Sequence, residues 1–206
     1  MKKSITVTDT NRIPDLIHIL DELNRREIRI GIFGKHDSFL LMIANVNEFG
    51  TTITPRRAKR LAIPLNKKAR ERSPRSFTDL FPLKANSGEL FLVRNKGATG
   101  LEFMYWLATS VTIPERSFIR GGYDTNQAKI ADKANRLLKQ VILGQLDLDS
   151  FYTFMGEYIV SELRNYMTNL TGPPNSFATK GSKRGSNPLI DTGRLRDAIT
   201  WLVVKS

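Results

Sequence analysis

Two long amphipathic segments in the C-terminal half of the chain constrain its fold more than any other feature. Residues 125–143 place Ile130, Leu137 and Val141 on one face and most of their basic side chains on the others. Residues 149–169 carry a longer apolar stripe, made of Phe151, Met155, Tyr158, Ile159, Leu163, Tyr166 and Met167. This spacing predicts two helices whose apolar stripes belong to a hydrophobic core rather than to a cofactor site.

The N-terminal region predicts a helix between two strands. Residues 4–8 alternate apolar and small polar side chains, as a short half-buried strand does. Residues 13–25 predict a helix capped by one of residues 9–11, with an apolar stripe of Leu16, Ile17, Leu20 and Leu23. Residues 27–33 alternate again, which predicts a strand with Ile28, Ile30 and Ile32 on one face.

The next stretch mixes one ambiguous segment with clearer signals. Residues 39–43 are apolar throughout, so periodicity leaves open whether they form a buried strand or the start of a helix. Residues 44–49 predict a helix that ends in a left-handed cap at Gly50. Residues 61–65 predict a short strand, and Pro64 places that strand at a sheet edge or makes it a strand end.

The middle and the end of the chain complete the set of elements. Residues 80–83, 89–94 and 101–107 predict three strands of an antiparallel meander. Residues 171–188, rich in Ser, Thr, Gly and Pro, predict a mobile loop. Beyond that loop we expect a short helix over residues 193–198, capped by Asp191 and Thr192, and a closing strand over 199–204.

These elements predict an α+β fold, in which N-terminal, middle and C-terminal strands form one antiparallel sheet packed against the two long helices. The length of 206 residues fits a single domain. We expect residues 1–206 to form that domain, with a basic loop and β-meander as an excursion over residues 54–112. The chain shows neither a signal peptide nor an apolar run long enough to span a membrane, so we expect no membrane contact.

The residue types needed for common catalytic sites are scarce. The chain has no cysteine, which removes disulfides, thiol catalysis and thiolate metal sites and fits folding in a reducing cytoplasm. His18 and His36 stand in no metal-ligand spacing, and no Gly-rich phosphate loop or Gly-x-Ser-x-Gly turn occurs. No Asp/Glu-x-Lys triplet of the kind used by many nucleases occurs either. We therefore expect a protein without enzymatic activity, metal or cofactor.

A basic segment at residues 56–75 holds much of the net charge of +12. Nine basic residues oppose one acid, Glu71, which gives a local excess of +8. Such a run either is a solvated exposed loop or faces DNA phosphates or an acidic partner. The residues of this basic segment are Arg56, Arg57, Lys59, Arg60, Lys67, Lys68, Arg70, Arg72 and Arg75.

Three short segments carry a resemblance to a known family. They read Ala44-Asn-Val-Asn-Glu-Phe-Gly-Thr-Thr-Ile53, Ile113-Pro-Glu-Arg-Ser-Phe-Ile-Arg120 and Asn187-Pro-Leu-Ile-Asp-Thr-Gly-Arg-Leu-Arg-Asp-Ala-Ile199. In this order they resemble the phage virion morphogenesis family, also called tail completion proteins. The chain departs from the family pattern at Ser117, where proline is usual, and at Ala198, where serine is usual. The matching positions are Glu48, Phe49, Gly50, Pro114, Arg116, Phe118, Asp191, Thr192, Gly193 and Leu195.

The resemblance implies a structural virion protein that acts in tail completion and head–tail joining. It implies a homo-oligomer, often a ring around the DNA channel, with other tail and neck proteins as partners. It also implies residence in the virion, and in the bacterial cytoplasm during assembly. Two other functions remain open. One is a DNA-binding module that uses the basic segment without reading sequence, and the other, which the residues favour less, is an enzyme.

Overall fold

The fold is seen in a computed structural model that describes residues 11–33, 37–97, 100–176, 179, 185 and 187–205. Helix α1 (Ile13–Arg25) leads directly into strand β1 (Arg26–Gly31), as the periodicity predicts. Strand β1 pairs antiparallel with β8 (Thr200–Lys205), with Ile28 opposite Val203. The first and the last described strands therefore share one two-stranded sheet. The strand predicted over residues 4–8 lies outside the described residues.

The main core lies between this sheet and the two long helices, α4 (Arg120–Ile142) and α5 (Leu148–Asn169). The predicted stripes face it: Ile130, Leu137 and Val141 are buried from α4, and Leu163 and Met167 from α5. Helix α4 begins five residues before the predicted start at residue 125. Although both helices are long, none in the described part of the chain is apolar enough to cross a membrane.

Residues 38–49 form one helix, which settles the ambiguity at residues 39–43. Helix α2 (Ser38–Phe49) is capped by Asp37, whose carboxylate accepts a hydrogen bond from the Leu40 amide at 2.9 Å. After it, strand β2 (Thr51–Ile53) pairs with β7 (Val111–Ile113) as a second two-stranded sheet. Gly50, between α2 and β2, has the expected positive φ of 66°, but its ψ of 164° is extended. The predicted left-handed helical cap is therefore wrong: Gly50 has the expected φ but an extended ψ.

The predicted meander is confirmed. Its strands β4 (Phe81–Lys84), β5 (Leu90–Asn95) and β6 (Leu101–Ala108) pair antiparallel in that order. Strand β3 (Leu61–Pro64) joins the far side of β6, so the order is β3-β6-β5-β4 and β3 is an edge strand, as Pro64 predicted.

The exposed loop predicted over residues 67–78 is partly wrong. It contains helix α3 (Lys67–Glu71), capped by the Asn66 side chain, and a 3₁₀ turn (Pro74–Ser76). Ala69 is buried there in a second, smaller core with Met104 and Tyr105. The Tyr105 hydroxyl donates to the carbonyls of Ala69 and Arg72, at 3.0 and 2.6 Å, which ties this segment to β6. A single apolar residue gives no periodicity, so the sequence pattern could not show this helix.

The α+β class is confirmed, while the expectation of one continuous sheet is wrong. The described strands form three separate antiparallel sheets, of two, two and four strands. The short helix near the C-terminus, α6 (Arg194–Asp197), is preceded by Gly193 with φ 83° and has no side-chain cap. The predicted capping role of Asp191 and Thr192 is therefore wrong. The single-domain assignment of residues 1–206, with an excursion over 54–112, stays a prediction.

A close approach between α5 and β8 yields a stability test. A methyl group added at Gly156 would overlap the Trp201 indole ring. We expect Gly156→Ala to lower the free energy of unfolding by about 1–3 kcal/mol, because overpacking outweighs the better helix propensity of alanine. Ser161→Ala, at an exposed position of α5, is the matched control. Urea unfolding measures both variants, and a Gly156→Ala protein as stable as the wild type would contradict this packing.

Candidate functional site

The Glu48 carboxylate joins the first two motif segments. Glu48 lies near the end of α2 and is only 6% exposed. Its Oε2 accepts hydrogen bonds from the Phe118 and Ile119 amides at 2.8 and 3.0 Å. Its Oε1 accepts from the Arg120 amide at 3.0 Å and from the Ser117 hydroxyl at 2.8 Å. The carboxylate thus satisfies amides at the start of α4, where the helix dipole also favours a negative charge.

Arg120 closes this contact from the solvent side. Its Nε lies 3.1 Å from Glu48 Oε1, and its Nη2 donates to the Glu48 carbonyl and to Glu115 Oε1, both at 2.8 Å. The guanidinium also lies over the Phe49 ring, 4.6 Å from its centroid. Arg120 stands in the second segment but not among the matching positions, and its arginine–carboxylate pairing could be found only from the structure. We call Glu48, Phe49 and Gly50 with residues 115–120 the Glu48 joint.

The protonation of Glu48 follows from its surroundings. Burial alone would raise the pKa of this carboxyl group. The hydrogen bonds from the Ile119 and Arg120 amides, the Ser117 hydroxyl and the Phe118 amide outweigh that effect and hold the pKa below its ordinary value. Glu48 is therefore charged at neutral pH, as a cap of a helix N-terminus requires.

Glycine is required next to this carboxylate. A Cβ atom on Gly50 would lie 2.8 Å from the Glu115 amide nitrogen and 3.1 Å from the Ile113 carbonyl oxygen. Since φ is also positive, any side chain would push β2 away from the turn that contains the half-buried Pro114. A backbone hydrogen bond of 2.7 Å from the Arg116 amide to the Asn47 carbonyl closes the same contact.

Arg116 is buried and anchors the chain that follows α5. It is 5% exposed, and burial lowers the pKa of its guanidinium. Its Nε donates to the Pro173 carbonyl at 2.7 Å and its Nη2 to the Pro174 carbonyl at 3.0 Å. Its Nη1 reaches Asn47 Oδ1 at 3.4 Å. Arg116 therefore ties the region predicted as a mobile loop to the second segment, at least at residues 173–174.

Ser117 and Phe118 have different tasks in the joint. The Ser117 hydroxyl donates to Glu48 and accepts from the Gly121 amide at 3.1 Å, so it adds a second cap to α4. A proline at this position could not make these side-chain bonds. Phe118 is fully buried in the main core. Ser117 thus supports the start of α4 through its side chain, and Phe118 joins the same start to the core.

The third segment is fixed mainly through Asn187 and Leu195. The Asn187 amide group donates to the Met167 and Thr168 carbonyls at 3.0 and 2.9 Å, at the end of α5. Leu195 is buried in the main core, while Asp191 and Thr192 are exposed. Arg194 pairs with the Asp37 carboxylate at 2.7 Å, which links the segment to the start of α2.

All three segments line one groove of about 750 Å³. Strand β3 contributes all four of its residues to the wall, and α2, β2 and β7 contribute others. The apolar part of the lining includes Phe39, Ile53, Ile63, Trp106, Pro114 and Leu195. The matching positions are therefore separated in sequence but meet around one joint and one groove.

The basic segment surrounds β3 at the side of this groove. All nine of its basic side chains are exposed. Arg60 donates to the Leu107 carbonyl at 3.3 Å, Lys68 lies 3.8 Å from Glu102, and Arg72 lies over the Phe77 ring. In the described ranges, Arg56, Arg57, Lys59, Lys67 and Arg75 form no ion pair with a carboxylate. The structure thus leaves the nine cations of the basic segment exposed, and the contacts of Arg60, Lys68 and Arg72 go to Leu107, Glu102 and Phe77 rather than to the Glu48 joint.

The described residues include no group of three or more His, Cys, Asp or Glu side chains placed to hold a metal ion. His18 is exposed on α1, and His36 lies outside the described residues. No known protein family, curated protein or solved structure matches this chain. The site is therefore described by its own geometry: a capped helix junction, a groove and a basic surface.

The Glu48 cap makes a pH-dependent prediction. We expect Glu48→Gln to lower the free energy of unfolding at pH 7 by about 2–4 kcal/mol, since it removes a buried charge that accepts several hydrogen bonds. A folded-state pKa below the unfolded value of about 4.5 gives stability that is present above pH 4.5 and lost as pH falls through the folded pKa. The gap between wild type and Glu48→Gln should therefore shrink in acid.

Unfolding by urea at pH 7, 5 and 3 measures that gap. Glu157→Gln, at an exposed position of α5, is the control for loss of one carboxylate. A gap of constant size down to pH 3 would show that the Glu48 charge does not support the fold.

Proposed function

We propose that this chain is a structural virion protein of a tailed phage or prophage, acting in tail completion and head–tail joining as an oligomer near the DNA channel. The observation that carries the proposal is the meeting of the three resembling segments. They lie at least 60 positions apart in sequence, yet Glu48, Arg116 and Leu195 belong to elements that surround one groove. A resemblance to one structural unit requires that its segments meet in the fold, as these three do.

The character of that unit supports an assembly role. Glu48, Gly50 and Arg116 act on backbone groups: a helix start, a tight turn and two carbonyls. Their polar groups form hydrogen bonds that hold elements of the fold together. The groove beside them is largely apolar. Exposed apolar surfaces on a folded domain mark sites for partner proteins or for small ligands, and among the described residues this groove holds no cluster of convergent His, Asp or Glu groups that would favour a ligand. We infer that the joint fixes the shape of the groove and that the groove receives protein.

The proposal is tested on particles from cells that encode the chain. Deleting its gene should leave heads and tails that accumulate separately in electron micrographs, and a plasmid copy should restore joined particles. Mass spectrometry of purified wild-type particles should find the chain at a fixed copy number. Normal yields of infectious, joined particles without the chain would overturn the proposal.

We propose as a second candidate that the basic segment binds DNA phosphates without reading sequence. The nine exposed cations favour it, because each phosphate contact releases condensed counterions and makes affinity salt-dependent. The structure gives the segment a partly ordered form, since α3 is anchored through Ala69. In a particle this surface would face the DNA channel, so the two candidates are compatible.

Changing Arg56, Arg57, Lys59 and Arg60 together to Gln tests the DNA contact. If these four residues contact phosphates, the slope of log K against log salt on duplex DNA should fall by up to about 4. The control changes four exposed cations elsewhere, Arg25, Lys84, Lys139 and Lys205, to Gln and removes the same charge. Equal losses in both variants would mean that net charge alone, rather than this surface, attracts DNA.

A further inference from the structure

Helix α1 carries an apolar stripe that is exposed in the described part of the fold. Ile13, Ile17 and Leu20 are 65%, 56% and 54% exposed. They stand at positions i, i+4 and i+7, so they form one continuous stripe on one face. The half-buried Ile19 and Leu23, on a neighbouring face, already pack against the main core. The helix thus has two apolar faces, of which the fold uses one.

The groove presents a second uncovered apolar surface, on other elements. Phe39 of α2 and Ile53 of β2 line it and are 62% and 42% exposed. The groove wall formed by β3 is better suited to contact a partner's side chains than to pair with an added strand. The Leu65 amide bonds to the Met104 carbonyl within the sheet, so by alternation Ala62 and Pro64 direct their backbone groups to the free edge. Pro64 has no N–H, which leaves Ala62 as the one amide donor of the strand there.

The charges beside the two surfaces are opposite. Asp21 of α1, one helical turn after Ile17 and so at the edge of the stripe, is exposed and forms no ion pair within the described ranges, whereas Glu22 is occupied by Arg26. On the groove side, the basic residues 56–60 immediately precede β3 and are exposed. A stripe with a free carboxylate at its edge is therefore complementary to a groove with cations beside it.

We propose that α1 of one copy of this chain docks its Ile13, Ile17 and Leu20 stripe into the groove of the next copy. The inference rests on the proposed function, because it names the contact by which the oligomer forms. A helix of 13 residues is about 20 Å long and meets a groove through anchors at this spacing. A second copy is the occupant because one contact then covers both apolar surfaces, whereas a different partner in the groove would leave α1 bare.

This contact is head-to-tail, since it joins two different surfaces. Each copy offers one stripe and one groove, so contacts repeat until the rotation between copies closes a ring. This geometry can be tested by mixing two variants, one with a defective stripe and one with a defective groove. A chain with a defective stripe keeps its groove, and a chain with a defective groove keeps its stripe, so the two together can form one contact and no more.

The experiment uses the full chain with exposed positions changed. The stripe variant is Ile17→Glu with Leu20→Glu, and the groove variant is Phe39→Glu with Ile53→Glu. The control is His18→Glu with Arg25→Gln, which lowers the charge of α1 by the same two units away from the stripe. Circular dichroism and urea unfolding first establish that every variant folds like the wild type. Light-scattering chromatography then gives the mass of each protein and of the equimolar mixture.

We expect an oligomer for the wild type and the control, a single-chain mass for each Glu variant, and twice that mass for their mixture. Wild-type mass in either folded Glu variant would overturn the inference, as would a mixture that stays at one chain. A wild type that is itself monomeric at every concentration would overturn it as well. If the Glu variants oligomerise normally while gene deletion still separates heads from tails, the inference fails and the proposed function stands.

Discussion

The Glu48 carboxylate is the contact on which the arrangement of this protein depends. It spans about 70 residues of sequence to hold the first turn of α4, and Arg120 and Ser117 close around it. Because α2 ends one residue later and Gly50 turns the chain into β2, the same contact fixes where the second sheet starts. The four-stranded sheet is reached through β2 and β7. An uncompensated change at Glu48 would therefore loosen the attachment of that whole region, since buried acceptors and helix amides would be left unpaired together.

The polar residues of the three resembling segments bind mainly backbone groups of the protein itself, which indicates a structural role for their side chains. A buried arginine beside a groove is commonly taken as a ligand-binding group. The Arg116 guanidinium instead donates hydrogen bonds to the Pro173 and Pro174 carbonyls and to the Asn47 side chain. Asn187 does the same at the end of α5. Their chemistry holds segments in place, so function is to be sought on the exposed surfaces instead: the groove, the α1 stripe and the basic segment.

The sequence predicted the elements that depend on local interactions and missed those that depend on contacts between distant residues. Helices α1 and α5 and the meander were predicted nearly to their ends because their periodicity is local. The start of α4 was missed because Gly121 and Gly122 are poor helix formers, and the cap that begins the helix there comes from Glu48 on a distant element. The single sheet was wrongly assembled for the same reason: strand pairing is non-local. Within the site, motif positions could be named in advance, but the capping role of Glu48, the burial of Arg116 and the pairing of Arg120 could not.

The net charge of +12 sets a condition on any assembly of this chain. Identical copies with such a charge repel one another, and the repulsion is strongest where the basic segments approach. In the proposed head-to-tail contact, Asp21 of one copy lies near the cations of the next and offsets part of that repulsion. The rest must be screened by salt or neutralised by a polyanion. The two candidate functions are coupled by this argument, because DNA held beside the basic segments would lower the cost of bringing copies together, and a closed set of copies would concentrate cations around the DNA.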